Sequence, residues 1–384
     1  MTKYMDFNKK AVELHKKRRG KIEIRSKVPL KTRNDLSIAY TPGVAEVCRQ
    51  IGRDKNNSWT LTNRANQVAI VTDGTAILGL GNLGPEAAMP VMEGKSIIFK
   101  EFAGIDAIPL CINTTDVDEI VKFVKQIEPS FGGINLEDIS APRCFEILER
   151  LENELSIPVF HDDQDGTAIV VLAALINACR VTGKVMNELD VVVNGAGAAG
   201  IAIARLLLEQ GVKNLILVDS KGLIHEGRQD LNEMKKKFAR LTNRRQVKGG
   251  LAEALDGADV FIGVSQPNLV SAAMVKSMKI EPLIFAMANP TPEIMPDVAL
   301  KAGAAIVGTG RSDFPNQVNN ALVFPGIFRG LLDGRIKKVT TKMKLAAAVA
   351  VAYSIKPKKD KILPSVLDKK VVKAIAKAVI KNQN

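Results

Sequence analysis

The stretch LDVVVNGAGAAGIAIARLLLEQGVKNLILVDSKG (189–222) constrains the fold of this chain more than any other. An apolar run at 191–193 leads into Gly195, Gly197 and Gly200. Ile201, Ala204, Arg205 and Leu208 then recur at helical spacing until Gly211, and a second apolar run, 215–218, ends on Asp219. Strand, tight turn, helix and strand in that order form one unit of a doubly wound sheet. The alternation continues with a helix near 251–256 and strands at 259–264, 282–288 and 304–308, which predicts a Rossmann-like α/β domain with a parallel sheet. In such a unit the glycines let the backbone approach a pyrophosphate at the positive end of the helix, and an acid at the next strand end accepts the ribose hydroxyls. Asp219, 24 residues after Gly195, is that acid. The expected dinucleotide contacts are Gly195, Ala196, Gly197, Ala198, Ala199, Gly200, Asp219, Ser220 and Lys221. Asp219 would repel a 2′-phosphate and so favours NAD, while Lys221 and Arg228 nearby leave NADP open.

A chain of 384 residues is long enough for more than one core. Residues 1–160 read as a separate α/β domain with helices at 8–18, 86–100 and 116–127 and strands at 68–72, 107–112 and 158–161. Residues 161–335 form the dinucleotide domain. In 336–384, Pro357 and Pro364 separate two helices, 342–355 and 365–382, and a stripe of Val371, Val372, Ile375, Val379 and Ile380 docks the second on the body. Aromatic residues are only 4% of the chain, so the cores are built from aliphatic side chains. Cys48, Cys111, Cys144 and Cys179 are widely separated with no CxxC pair, which fits a reducing compartment and a cytoplasmic location. The chain is charged from Lys3 onward, so no secretory signal is expected, and no continuous apolar run reaches the ~18 residues of a membrane span. The net charge of +13 is concentrated near the two ends without interleaved aromatics, so nucleic-acid binding is not expected.

Two acidic clusters, NLEDI (135–139) and FHDDQDGTA (160–168), precede the glycine fingerprint. Adjacent carboxylates such as Glu137 and Asp138 point apart in a regular helix or strand, so both serve one ion only from an element end. Asp162 and Asp163, after a strand ending at His161, have the same geometry. Converging carboxylates need compensating positive charge, and an all-oxygen set suits Mg²⁺ or Mn²⁺. The competing reading is that Asp163 or Asp165 caps a helix beginning near Thr167. His161 is a further, softer candidate ligand.

These stretches, with GKIEI (20–24), DLSIAYTPGVA (35–45), VTDGTAILGLGNLG (71–84), PVMEGKSIIFK (90–100), FAMANP (285–290) and SDFPNQVNNALVFPG (312–326), occur in one order over roughly residues 10–330. As a set the chain resembles the malic enzymes, in their compact bacterial and archaeal form. The resemblance implies metal-dependent oxidative decarboxylation of (S)-malate to pyruvate and CO₂ with reduction of NAD or NADP. It implies Lys95 as general base, Tyr40 as general acid, and Glu137, Asp138 and Asp163 as ligands of Mg²⁺ or Mn²⁺. Asp162 then supports Lys95 or the metal shell, Asn289 and Asn320 hold malate, and Thr167 and Asn289 lie against the cofactor. Read without the resemblance, Tyr40 is more simply a packed aromatic beside a turn.

Larger members of the family carry a substrate-clamping arginine where this chain has Ala76, so backbone amides around Thr75 or a nearby lysine are expected to take its place. Asp165 also stands where the family often has Gln. Lys95 must be neutral to accept a proton, so burial or a nearby cation should depress its pKa. A homodimer, with an active site shared between subunits, is in keeping with the family. The rival readings are a metal-independent dehydrogenase, which would work in chelator, and a non-catalytic nucleotide- or nucleic-acid-binding protein, which would tolerate loss of Lys95 and Tyr40.

Overall fold

The computed structural model describes residues 7–383; Lys3, where the charged N-terminal stretch begins, lies outside them. Four strands, β1 (Gln67–Thr72), β2 (Asp106–Cys111), β3 (Gly133–Leu136) and β4 (Val159–His161), form an all-parallel sheet in the order β2-β1-β3-β4. A second sheet contains β5 (Asp190–Asn194), β6 (Asn214–Asp219), β7 (Gly222–Leu223), β8 (Val260–Gly263), β9 (Leu283–Ala286) and β10 (Ile306–Thr309), in the order β10-β9-β8-β5-β6-β7. It is parallel except for β7, which turns back on β6. The strands read as unbroken apolar runs because both faces are covered. Strand order reverses at β5, which lies between β6 and β8, and a crevice beyond the strand ends is expected at such a point.

The helix Thr167–Thr182 follows β4 and precedes β5. It is buried almost continuously from Ala168 to Leu175 because it is apolar on every side. The stretch Asp162–Thr182 is long and apolar enough to cross a membrane by length and composition, although no such span was expected. Most of it is buried inside the protein, packed against the helices Ala198–Glu209 and Thr341–Ala352. The largest core cluster takes in Val68, Ile70 and Phe160 from the first sheet and Val191, Val193 and Ile262 from the second.

The C-terminal helices pack back as the apolar stripe predicts. Val371, Val372, Ile375 and Val379 are buried, and the helix Lys369–Lys381 lies along Phe324–Asp333. Phe324 and Phe328 pack on Phe99, tilted and edge-to-face, with ring centroids 4.7 and 5.2 Å away, joining this layer to the helix Pro85–Ala103 beside the first sheet. That helix buries Ala88, Met92, Lys95, Ser96 and Phe99 on one face, so a lysine lies in its apolar stripe.

The N-terminal segment is different. None of its helices, Phe7–Arg18, Arg33–Ala39 and Val44–Arg53, has a buried residue. Local bonds hold their form: Thr32 Oγ1 accepts the Asp35 N–H and Asp35 Oδ2 accepts the Thr32 N–H, a reciprocal cap. Apolar side chains nevertheless face outward here, including Ile24, Leu30, Ile38 and Tyr40.

Candidate active site

Pairing of β3 with β4 brings the two acidic clusters together. Leu136 is in register with His161, so Glu137 and Asp138 leave one strand end beside Asp162 and Asp163 leaving the next. Asp138 takes a positive φ of 53° and turns its side chain toward its neighbours. Its N–H donates to Asp163 Oδ2 at 2.8 Å. One carboxylate oxygen each from Glu137, Asp138 and Asp163 lies within 4.8 Å of the others. Asp163 is thus engaged by the backbone of the other cluster. Residues Asp162–Gly166 form one wide helical turn before Thr167, and neither Asp163 nor Asp165 is the N-cap. Asp165 pairs instead with Lys344 at 2.7 Å, tying this turn to the C-terminal helix Thr341–Ala352.

Lys95 projects into this group. Its Nζ bonds to Asp162 and lies 3.1 Å from Glu137 Oε1 and 4.5 Å from the centre of the Phe324 ring. Burial presses the ammonium toward neutrality, but Asp162, Glu137 and Asp163 outweigh it and raise its pKa. This is opposite to the depressed value expected from the sequence, because carboxylates surround the base. The carboxylates are themselves pushed up, first by burial and then by one another: Glu137 to about 7, Asp138 to about 9, Asp163 to about 6 and Asp162 to about 7. His161 is fully buried and held neutral, its pKa lowered to about 4 by burial; its Nδ1 lies 3.8 Å from Asp163 Oδ2.

The trio fits a hard divalent cation. All its donors are carboxylate oxygens, they converge, and Asp138 Oδ2 is buried without a hydrogen-bond partner. A cation held by Glu137, Asp138 and Asp163 would supply the charge that the trio lacks.

These groups line a cavity of about 650 Å³. Asn289, Asn320 and Thr167, expected at substrate or cofactor, line it too, with Ala76. Ala199 is on its wall, and Ser265 connects it to a second cavity of about 610 Å³ bordered by Gly195, Ala196, Gly197, Asp219 and Ser220. Gly200 underlies the turn: a Cβ there would lie 1.7 Å from the Gly195 carbonyl oxygen. Together the two spaces make a long cleft at the strand ends, suited to a dinucleotide.

Asp219 does not stand free in this cleft. Its carboxylate accepts from Arg228 Nη1 at 2.8 Å, Lys235 Nζ at 2.6 Å and the Lys221 N–H at 3.0 Å. Burial would raise its pKa, but the bonds to Arg228 and Lys235 prevail and hold it below the ordinary value. The repulsion of a 2′-phosphate expected from Asp219 is therefore offset by two cations, of which Lys235 was not apparent from the sequence. Glu293 was also missed. Fully buried, it accepts the Ser265 and Ala288 N–H groups, each at 3.0 Å, and so pins the loops after β8 and β9.

Of the expected site residues, Tyr40 is not brought to the substrate cavity, and Ala198, Gly200 and Lys221 are not on the wall of either space; Lys221 pairs with Asp230 at 3.1 Å. Tyr40 follows the helix Arg33–Ala39, is 67% exposed, and is not on the cavity wall. Lys21, on the other hand, is on that wall. The motif GKIEI contained it, but no role distinguished it among many lysines.

Comparison with known proteins matches residues 19–152 to the malic enzyme N-terminal domain and residues 164–384 to the malic enzyme NAD-binding domain. The bifunctional malic/malolactic enzyme of Bacillus subtilis is 55% identical over 381 residues, 98% of this chain and 93% of that protein. The NAD-dependent malic enzyme of Geobacillus stearothermophilus is 54% identical over 94% of this chain and 76% of its own length. Among solved structures, the NAD-dependent malic enzyme of Thermotoga maritima superposes with a TM-score of 0.94 at 51% identity, covering 96% of this chain and 98% of that one.

Proposed function

Since the chain belongs to the malic enzyme family, we propose that it oxidatively decarboxylates (S)-malate to pyruvate and CO₂, with NAD⁺ or NADP⁺ as the acceptor. The observation that carries this reading is the convergence of Glu137, Asp138 and Asp163 beside Lys95 in a cavity that shares Ser265 with the space bordered by the glycine turn.

The surrounding carboxylates hold Lys95 charged at rest, so it takes the proton from the C2 hydroxyl once its own ammonium proton has passed to Asp162. Its bonds to Asp162 and Glu137 fix its Nζ, and Asp162 provides a route by which the proton leaves. Asn289 and Asn320 orient the substrate with neutral amide groups, and Thr167 lies against the cofactor. When bound, Mg²⁺ or Mn²⁺ on the trio supplies Lewis acidity at the C2 oxygen, and the nicotinamide supplies the hydride acceptor. Burial of the whole group strengthens each of these electrostatic contacts.

Tyr40 donates the proton to C3 of the product enol, and a second copy of the chain brings it there. The support is the outward-facing apolar surface of a segment with no buried residue: Ile24 is 98% exposed, Ile38 68% and Tyr40 67%. An exposed apolar surface of this kind marks an interface, and a two-fold dimer would carry each Tyr40 toward the partner's cavity. The cysteines within the described residues are free thiols, in keeping with a cytoplasmic enzyme.

The test is a coupled assay of CO₂, pyruvate and reduced cofactor from (S)-malate, with Mn²⁺ and with chelator. Equal amounts of all three products, dependent on the metal, are expected. Turnover that survives exhaustive chelation, or reduced cofactor without CO₂, contradicts the proposal. The Bacillus relative's name couples malic to malolactic activity, so lactate is measured as well.

A further inference from the structure

The charge around the cavity does not balance for a dianionic substrate. Glu137, Asp138 and Asp163 face it with three potential negative charges, and Lys95 is already shared between Asp162 and Glu137. A divalent cation offsets two of the three. A dicarboxylate entering beside them adds two more negative charges in a partly desolvated space, of which the oxidised nicotinamide ring offsets one, so a further cation on the wall would bring the site closer to balance.

The backbone donors expected in place of the missing arginine are committed elsewhere, and the Asn289 and Asn320 amides on the wall carry no charge. The Thr75 N–H donates to Asp73 Oδ1 at 3.1 Å and the Ala76 N–H to the Asp138 carbonyl at 2.9 Å. Arg143 is nearby in the fold but is spent on Asp73 Oδ2 at 2.9 Å, on Thr75, on Ser140 and on the Thr115 carbonyl. It does not line the cavity.

Lys21 does line it, beside Pro90, Val91, Gly94 and Lys95 of the helix Pro85–Ala103. Its Nζ donates to the Pro90 carbonyl at 2.6 Å; the Glu93 carboxylate acts on it electrostatically, but no carboxylate among the described residues lies within 4.0 Å of it. The position is built. Gly20 takes a φ of +101°, and a Cβ there would meet Glu93 Oε1 at 2.5 Å, so the chain lies directly on the helix. The Lys21 N–H then donates to Glu93 Oε2 at 3.1 Å. These contacts direct the side chain along the same helix face that presents Lys95, and its Nζ lies 3.5 Å from where a Cβ of Gly94 would be. An ammonium with one carbonyl partner retains two donors.

We propose that Lys21 binds a carboxylate of the dicarboxylic substrate and sets the preference for a dianion over a monoanion. This rests on the reaction proposed above and names the group that recognises its substrate.

The experiment compares the full-length, metal-loaded enzyme with Lys21→Met and Lys21→Arg. Losing one charge-assisted hydrogen bond predicts a KM for malate raised about 10- to 100-fold in Lys21→Met, with kcat changed much less. Lys21→Arg keeps the charge and should recover most of the loss. The KM for the cofactor and the thermal midpoint should stay at wild-type values in both, whereas a residue that only docks the N-terminal segment would move them. Titration calorimetry with malonate in the presence of Mn²⁺ gives a reading independent of turnover and should show weaker binding to Lys21→Met. An unchanged malate KM and unchanged malonate affinity in Lys21→Met overturn the assignment, as does an equal loss in Lys21→Met and Lys21→Arg. A wild-type enzyme that does not turn over malate would refute the reaction, and the malonate titration would still decide whether Lys21 binds a dicarboxylate.

Discussion

Replacing Asp138 with Asn should make the metal-free protein more stable while removing its affinity for the metal. The donor oxygens of Glu137, Asp138 and Asp163 lie within 4.8 Å of one another. Two like charges at that distance repel by about 3.5 kcal/mol at an effective dielectric of 20. The group relieves this by binding protons, and Asp138, pushed up to about 9, takes one most readily. A carboxyl with its pKa raised in the folded state opposes folding once the unfolded chain ionises. The penalty is absent near pH 4, grows by about 1.4 kcal/mol per unit, and levels off above pH 9. Near pH 7 it is about 4 kcal/mol for an isolated group, and about 2–4 kcal/mol once shared with coupled neighbours.

Asp138→Asn removes the titrating group and keeps the shape. Thermal unfolding in chelator should show the variant melting several degrees above wild type at pH 8, with a smaller gap at pH 5.5. Saturating Mn²⁺ should reverse the order, since only the wild type gains from the ion. A metal-free variant that melts at or below wild type at pH 8 would refute the claim that the trio is held together against its own repulsion.

Lys95→Ala should lower kcat for malate at least about 1,000-fold with cofactor affinity, measured by fluorescence of bound reduced cofactor, nearly intact; a matching loss of affinity would contradict the base assignment. Gly200→Val should weaken cofactor binding more than about tenfold by driving the helix from the Gly195 carbonyl, and unchanged affinity would mean that this turn does not cradle the pyrophosphate. Asp219→Ala should free Lys235 and the Nη1 of Arg228, whose other nitrogens stay on Asp230, for a 2′-phosphate, so the KM ratio of NADP to NAD should fall about tenfold; a constant ratio would place cofactor selection elsewhere. Mixing inactive Tyr40→Phe and Lys95→Ala proteins should restore up to about a quarter of wild-type activity if a two-fold dimer shares its sites. No recovery after subunit exchange would place each Tyr40 in its own subunit's cavity.

Much of this architecture was legible because the signal was local. Strand, glycine turn, helix and acid between 189 and 222 appear in order as β5, the turn, the helix Ala198–Glu209 and β6. The placement of Glu137, Asp138, Asp162 and Asp163 at strand ends could also be read, since adjacent carboxylates converge only there. The pairing of β3 with β4, which makes the two clusters one, depends on register between segments more than twenty residues apart. The helix Arg143–Glu154 is absent from the expected elements although Cys144, Ile147, Leu148 and Leu151 recur at helical spacing. Lys21 acquires meaning only when the N-terminal turn lies on the helix that carries Lys95. Lys235 likewise acquires it only when its helix folds back on Asp219. The exposure of Tyr40 could not be foreseen, because an AYTPG turn gives no indication of whether the ring packs on its own chain.

The central claim is that a divalent cation is held by three carboxylates beside Lys95. Anomalous diffraction at the manganese edge, from crystals grown with Mn²⁺, cofactor and a dicarboxylate, tests it most directly. The account predicts one strong peak per chain within about 2.0–2.6 Å of oxygens from Glu137, Asp138 and Asp163. A well-ordered site with those side chains directed away from one another and no anomalous peak among them would contradict it.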